Sequence, residues 1–172
     1  MYNSVDAALR DVYRFGALRI EPQNNTAQIC DWVETKGVRR GGYGLTQHEW
    51  HANARMIQNR VERILNDLEL AAIECEYGKV DLYHIVDLTK HVTKLDSGIN
   101  TLLCDNMLEN IFTGFPKNTD IMDKYNISKA TFWRQRGRIK APIADLINSA
   151  ICKLETEFLD CGILNKKEYV VA

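Results

Sequence analysis

The amino-acid sequence predicts an all-α fold, and three observations support this prediction. Apolar residues recur at helical spacing along most of the 172 residues, whereas the alternation that is typical of strands is nearly absent. Only three prolines interrupt the chain, and each lies at a predicted junction. A chain of this length with 45% hydrophobic residues can bury a sizeable core without disulfides or metals. We therefore expect a compact multi-helix protein.

The N-terminal half is predicted to contain five helices, spanning residues 4–15, 26–35, 46–65, 68–77 and 81–94. Ser4 is the expected cap of the first, and Thr46 with Glu49 has the spacing of a capping box at the start of the third. Asn66-Asp67 is the candidate cap of the fourth, which we expect to end at Gly78 in the usual C-terminal role of glycine. The fifth is expected to bury Leu82, Ile85, Val86 and Leu88.

The C-terminal half is predicted to contain a helix over residues 101–113, closed by Gly114 and Pro116, and a final helix that has Pro142 at its first position and ends at Cys161-Gly162. The turn at 96–100 is the candidate boundary between regions 1–96 and 97–172, either as one compact domain or as two closely packed lobes. The residues expected to be buried in these helices are Leu102, Leu103, Met107, Leu108, Ile111, Phe112, Ile143, Leu146, Ile147, Ala150, Ile151, Leu154 and Phe158.

The charge of the chain is distributed unevenly. Its formal net charge is −1, but residues 116–140 hold seven basic and two acidic side chains, so this segment carries +5 and the remainder −6. An acidic body with one compact basic segment is typical of a protein that grips a polyanion locally.

The basic segment also has the residue pattern of a helix-turn-helix, which we place at residues 118–139. Ile121 and Tyr125 fit the inward positions of the first helix, and Asn126 occupies the turn position at which a left-handed backbone is common. Ser128 is a natural cap for the second helix, in which Phe132 faces the core. The register follows from these constraints together with Ile127, which is expected to plug the core beneath the turn.

This register predicts which side chains meet DNA, because the second helix of the motif lies in the major groove. Arg134 can pair with a guanine edge, and Lys129 with a base edge or a phosphate. Trp133 can cover a thymine methyl group or a sugar, or else pack against the preceding helix. The predicted DNA-binding residues are Ser128, Lys129, Ala130, Trp133, Arg134, Arg136, Gly137, Arg138 and Lys140, of which Arg136, Arg138 and Lys140 are assigned to phosphates.

A second interpretation is that these charges are only the solvated face of an ordinary helical domain. Met122 favours it, since a small residue usually stands there to let the two helices approach. Gln135 also departs from the pattern, in which an aliphatic or aromatic residue often packs. Five cations without an acid over residues 129–140, with Trp133 among them, favour DNA binding.

Other signals for chemistry are weak. His48 and His51 are three residues apart, whereas the helical zinc-protease motif needs a spacing of four. The five cysteines are scattered and predict reduced thiols mostly in the core. We expect no catalytic residues, metal or cofactor. The charged N-terminus and the lack of a long apolar stretch predict a cytoplasmic protein without a membrane span.

A glycine-rich basic segment at residues 36–44 offers a second candidate contact. Lys36, Arg39 and Arg40 can order against phosphate or an acidic protein, or form a plain surface loop.

Several segments together resemble small prophage regulators: Val5-Asp-Ala-Ala-Leu-Arg10, Gly44-Leu-Thr-Gln-His-Glu-Trp-His51, Glu76-Tyr-Gly78 and the late helix-turn-helix. The chain most resembles the lambdoid phage late-gene antiterminator (Q protein) family, phage 21-like type. The helix-turn-helix is also similar to the promoter-reading domains of sigma factors. The zinc-binding cysteine cluster of the lambda branch is missing here, which excludes close kinship with that branch.

This resemblance implies a protein that binds DNA near a late promoter, engages RNA polymerase and lets transcription pass terminators. Lys129, Trp133 and Arg134 then carry the DNA contacts. We expect double-stranded DNA as the partner, with RNA polymerase or a sigma factor as a further one contacted by the N-terminal region, and leave the oligomeric state open. The alternatives are a phage packaging or replication adaptor that uses the same motif, and a purely protein-binding helical module.

Overall fold

The computed structural model describes residues 2–17 and 47–165, with the side chains of Ala17, Gln47 and His48 left out. This part of the chain is all-α, as predicted, and its only β-type pairing is an isolated bridge between Tyr2 and Leu164. The predicted helix 26–35, the loop with Lys36, Arg39 and Arg40, and the capping residue Thr46 lie outside the described residues. The helices are α1 (Val5–Ala17), α2 (Gln47–Ile64), α3 (Asp67–Tyr77), α4 (Leu82–Leu95), α5 (Thr101–Thr113), α6 (Asn118–Tyr125) and α7 (Lys129–Asp160).

Side-chain caps set the starts of α1 and α3 where the sequence predicted them. Ser4 Oγ accepts a hydrogen bond from the Ala7 amide at 3.2 Å. Asn66 and Glu69 form a reciprocal capping box at α3, which satisfies two amides of the first turn.

Gly78 ends α3 as predicted, but for a different reason from the usual one. Its φ is −105°, so it does not supply the left-handed backbone that favours glycine at helix ends. A Cβ atom at this position would instead lie 2.9 Å from the Glu74 carbonyl oxygen and 2.9 Å from the Tyr13 ring. Glycine therefore permits the close approach of α1 to the end of α3.

The core consists of two clusters. The first cluster joins α3, α4 and α5 to α6 and the N-terminal half of α7, and its buried residues are Ala71, Ala72, Cys75, Ile85, Leu88, Val92, Ile99, Leu103, Cys104, Met107, Leu108, Ile121, Phe132, Ile139 and Ile143. The second cluster joins α1 and α2 to α3 and the C-terminal half of α7, and its buried residues are Val5, Ala8, Leu9, Val12, Ala54, Ile57, Val61, Leu65, Ile73, Ala150, Leu154, Phe158 and Leu164.

Apolar packing is continuous across the predicted boundary at 96–100. Leu88 and Val92 precede that turn, Leu103 and Met107 follow it, and all four lie in the first cluster. The division into regions 1–96 and 97–172 remains a prediction about function.

The prediction that a separate helix starts at Pro142 is wrong. Pro142 lies inside α7, which runs unbroken for 32 residues from Lys129 to Asp160. Proline inside a helix removes one backbone hydrogen bond. Burial of Ile139 and Ile143 on either side holds the helix in place and offsets this loss.

Three residues that were expected to be buried are exposed. Leu82 is 75% exposed and Val86 37% exposed on α4, and Leu102 is 65% exposed on α5. The apolar stripe of α4 is wider than the face that α3 and α5 cover, so only Ile85, Leu88 and Val92 of its apolar residues are fully buried. Periodicity gives the direction of the buried face but not its width.

Candidate nucleic-acid interface

The turn between α6 and α7 has the local geometry that the sequence predicted. Asn126 adopts a left-handed backbone with φ 48° and ψ 48°. The Ile127 amide returns a hydrogen bond to the Met122 carbonyl at 3.0 Å. Ser128 then caps α7, since its Oγ accepts a hydrogen bond from the Thr131 amide at 3.2 Å.

Apolar anchors fix both helices against the first cluster. Ile121 of α6 is 1% exposed, and Phe132 of α7 is fully buried. Tyr125 and Ile127 are half-buried, and the Tyr125 hydroxyl donates a hydrogen bond to the Leu102 carbonyl at 2.8 Å. The rotation of α7 about its own axis is thereby set.

The two residues that depart from the helix-turn-helix pattern are both accommodated. Met122 is half-buried and packs against the first cluster. Gln135 is half-buried as well, and its buried side-chain oxygen has no hydrogen-bond partner among the described residues. A buried polar atom without a partner lowers the free energy of unfolding, so Gln135 is a local cost to stability.

The residues that the register turned outward are exposed, and we call them the exposed α7 face. Trp133 at its centre is 50% exposed. Within ranges 2–17 and 47–165, neither Lys129 nor Arg134 has an ion-pair or hydrogen-bond partner for its side chain. The face consists of Ser128, Lys129, Ala130, Trp133, Arg134 and Gly137.

The start of α7 is electrostatically suited to an anion. A helix N-terminus carries partial positive charge, which an acidic side chain usually offsets. The first turn of α7 has no acidic residue and begins with Lys129 instead. The partial positive charge of the helix N-terminus and the charge of Lys129 thus lie together, in the turn whose backbone amides have the fewest intrahelical partners.

Two of the predicted phosphate-binding cations contact other side chains of the chain. Arg136 is half-buried and donates a hydrogen bond from Nη1 to Asn110 Oδ1. Arg138 forms an ion pair with Asp96. Lys140 is exposed and has no such partner in the described part of the chain. Of these three cations, Lys140 alone has no side-chain partner among the described residues, and the assignment of all three to phosphates stays a prediction.

Sequence reasoning missed Asn110 and Asp96 as partners of the basic segment. Asn110 did carry a signal, because it shares a helical face with Leu103 and Met107 but is polar, and it is 5% exposed. Buried polar groups need hydrogen-bond partners, and Arg136 is one of the partners of Asn110. Nothing in the sequence pairs Asp96 with Arg138.

The remaining candidate chemistry is sparse. No three His, Cys, Asp or Glu side chains converge as metal ligands among the described residues. Cys75 and Cys104 are buried as predicted, and burial raises the pKa of the first to about 12 and of the second to about 11. Cys152 and Cys161 are exposed, contrary to the expectation of mostly buried thiols.

In the segments 2–17 and 47–165, no helix is both long and apolar enough to cross a membrane. No protein-family model and no curated protein sequence matches this chain. Inference about the exposed α7 face therefore depends on the chemistry of its own residues.

Proposed function

We propose that the chain is a sequence-specific DNA-binding transcription regulator that places the N-terminal half of α7 in the major groove. The observation that carries this proposal is the exposed α7 face. It presents two cations without described partners, Lys129 and Arg134, beside the positive end of a helix that has no acid in its first turn. Cations near a helix N-terminus are unfavourable for the stability of the helix, so their presence there is better explained by binding to an anionic ligand than by solvation alone.

Arg134 and Lys129 then have separate roles. Arg134 lies one helical turn after Ala130 and can form a bidentate contact with a guanine edge, whereas Lys129 at the helix start is placed for a phosphate. Base contacts discriminate between sequences, while phosphate contacts set register and salt dependence.

In its finer form, the proposal is a late-gene antiterminator of phage or prophage origin that acts on RNA polymerase in the cytoplasm of a bacterial host. The resemblance of the segments 5–10, 44–51 and 76–78 to that family supports it. The N-terminal region, residues 1–96, is then the candidate polymerase contact.

Selection of duplexes from a random-sequence library tests the DNA-binding part. Wild-type protein should enrich one sequence family, and Arg134→Ala should lose about 5- to 150-fold in affinity for it, as expected for a bidentate base contact of about 1 to 3 kcal/mol. Lys94→Ala is a matched control, because Lys94 is an exposed cation on α4. Failure to enrich any sequence, or equal losses for both variants, would refute sequence-specific binding through α7.

Transcription in vitro tests the finer form. A template that carries the selected site upstream of a terminator should give more full-length RNA when the protein is added. Normal termination by a polymerase whose DNA site is fully occupied by the protein would refute antitermination but leave DNA binding intact.

A further inference from the structure

Trp133 is held in place by a chain of contacts that begins in the linker between α5 and α6. Asn110 Nδ2 donates a hydrogen bond to the Pro116 carbonyl at 2.7 Å, and Asn110 Oδ1 accepts one from Arg136. The Arg136 guanidinium lies 5.7 Å from the centre of the Trp133 ring, in a cation–π contact. Asn110 is 5% exposed, so its amide is fixed by its surroundings.

The Trp133 indole is also contacted by Phe132, a residue of the core. The Phe132 ring, which is fully buried, meets the Trp133 ring edge-to-face at a centroid distance of 5.4 Å. A side chain that is 50% exposed is thus restrained by a buried ring and by a guanidinium that is itself hydrogen-bonded. Such preorganisation reduces the entropy lost when a ligand binds.

This restrained indole offers a flat apolar surface between two cations, Lys129 and Arg134, on one helical face. The only methyl group on the base edges of the major groove is the C5 methyl of thymine. We propose that Trp133 is a specificity-determining residue that contacts a thymine methyl group, with Arg136 and Asn110 as positioning residues for the indole. This inference rests on the proposed function, because it assumes that α7 enters the major groove.

Replacement of thymine by deoxyuridine tests the contact, because it removes only the methyl group. The probe is the duplex selected by the wild-type protein, with each thymine replaced in turn. At one thymine, we expect wild-type affinity to fall about fourfold, since burial of one methyl-sized group contributes ~0.8 kcal/mol. Trp133→Ala should bind the two duplexes equally, whereas Tyr83→Ala, which removes another exposed aromatic residue, should keep the fourfold difference.

The positioning role needs a separate readout. Asn110→Ala should reduce the fourfold methyl effect to less than twofold, because it removes the acceptor that holds Arg136 against the indole. Asn110→Asp should restore the effect only in part, because a carboxylate oxygen still accepts the Arg136 hydrogen bond but cannot donate to the Pro116 carbonyl. Should Asn110→Ala fail to fold, Arg136→Met at a half-buried position gives the same test, and a full methyl effect in Arg136→Met would overturn the positioning role.

Failure of this inference is distinguishable from failure of the proposed function. A selected duplex in which no thymine responds to deoxyuridine, or one whose response persists in Trp133→Ala, overturns the methyl contact while sequence-specific binding stands. If no duplex is selected at all, the proposed function itself fails.

Discussion

Arg138 of α7 forms an ion pair with Asp96, the residue that ends α4. The pair joins the N-terminal half of α7 to the turn between α4 and α5. The two side chains are 47% and 29% exposed, so their net contribution to the free energy of unfolding is small, about 0 to 1 kcal/mol. In the proposed DNA complex, Asp96 would compete with phosphate for Arg138.

The salt dependence of DNA binding should separate Arg138 from Lys129. Lys129→Ala removes a cation that has no described partner, so it should make the slope of log affinity against log salt shallower by about 0.9, the value for one phosphate contact. Arg138→Ala should change the slope by less than half of that. Asp96→Asn should steepen the slope because it frees Arg138. If Arg138→Ala and Lys129→Ala gave equal changes, the ion pair would not persist in the complex.

Replacement of Pro142 should stabilise the protein. Pro142→Ala restores an amide that can donate to the Arg138 carbonyl inside α7, so the free energy of unfolding should rise by about 1 to 3 kcal/mol. Urea unfolding followed by circular dichroism measures the change. Unaltered or reduced stability would mean that Pro142 stands at the start of a separate helix, where proline is favourable.

Truncation of Phe132 should unfold the base of the exposed α7 face. Phe132 is fully buried in the first cluster, and Phe132→Ala should lower the free energy of unfolding by about 3 to 5 kcal/mol through lost burial and a residual cavity. Tyr83→Ala should change it by less than about 0.5 kcal/mol, because Tyr83 is 79% exposed. A similar loss in both variants would contradict the register of α7.

Acid should lower the stability of the protein by protonating Glu69, a buried carboxylate that links α3 to α7. Burial acts to raise the pKa of Glu69, but hydrogen bonds from Lys153, Ser149 and the Asn66 amide outweigh it and hold that pKa below its ordinary value. The lowered pKa contributes stability that is complete above the ordinary value of 4.5 and is lost as the pH falls through the pKa of the folded state. Glu69→Gln should therefore cost about 1 to 3 kcal/mol at pH 7 and less at pH 3, which lies below the ordinary pKa of 4.5.

Urea titrations of both proteins at these two pH values measure the difference. A gap between wild type and Glu69→Gln that is the same at pH 7 and pH 3 would show that the Glu69 charge does not stabilise the fold.

Local sequence rules predicted much of the fold because its helix boundaries depend on local groups. Asn66, Ser128 and Asn126 act within three or four residues of themselves, so their caps and turn were visible in the sequence. The exposed α7 face followed from the same register. The contacts of Arg136 with Asn110 and of Arg138 with Asp96 join residues far apart in the chain, and no local pattern encodes them. The continuation of α7 through Pro142 depends on tertiary burial, which outweighs propensity there.

Because α7 is unbroken and contributes to both clusters, the protein is difficult to divide into fragments that fold independently. At 1.5 Å per residue its 32 residues reach about 48 Å, and Phe132 near one end belongs to the first cluster while Phe158 near the other belongs to the second. A fragment over residues 97–172 would keep the exposed α7 face but lose Leu88 and Val92 from beneath it. Because both clusters pack against α7, unfolding of either one exposes apolar surface of this helix. Denaturation should consequently follow a single transition, and fragments intended to isolate the proposed DNA contact should aggregate instead of folding.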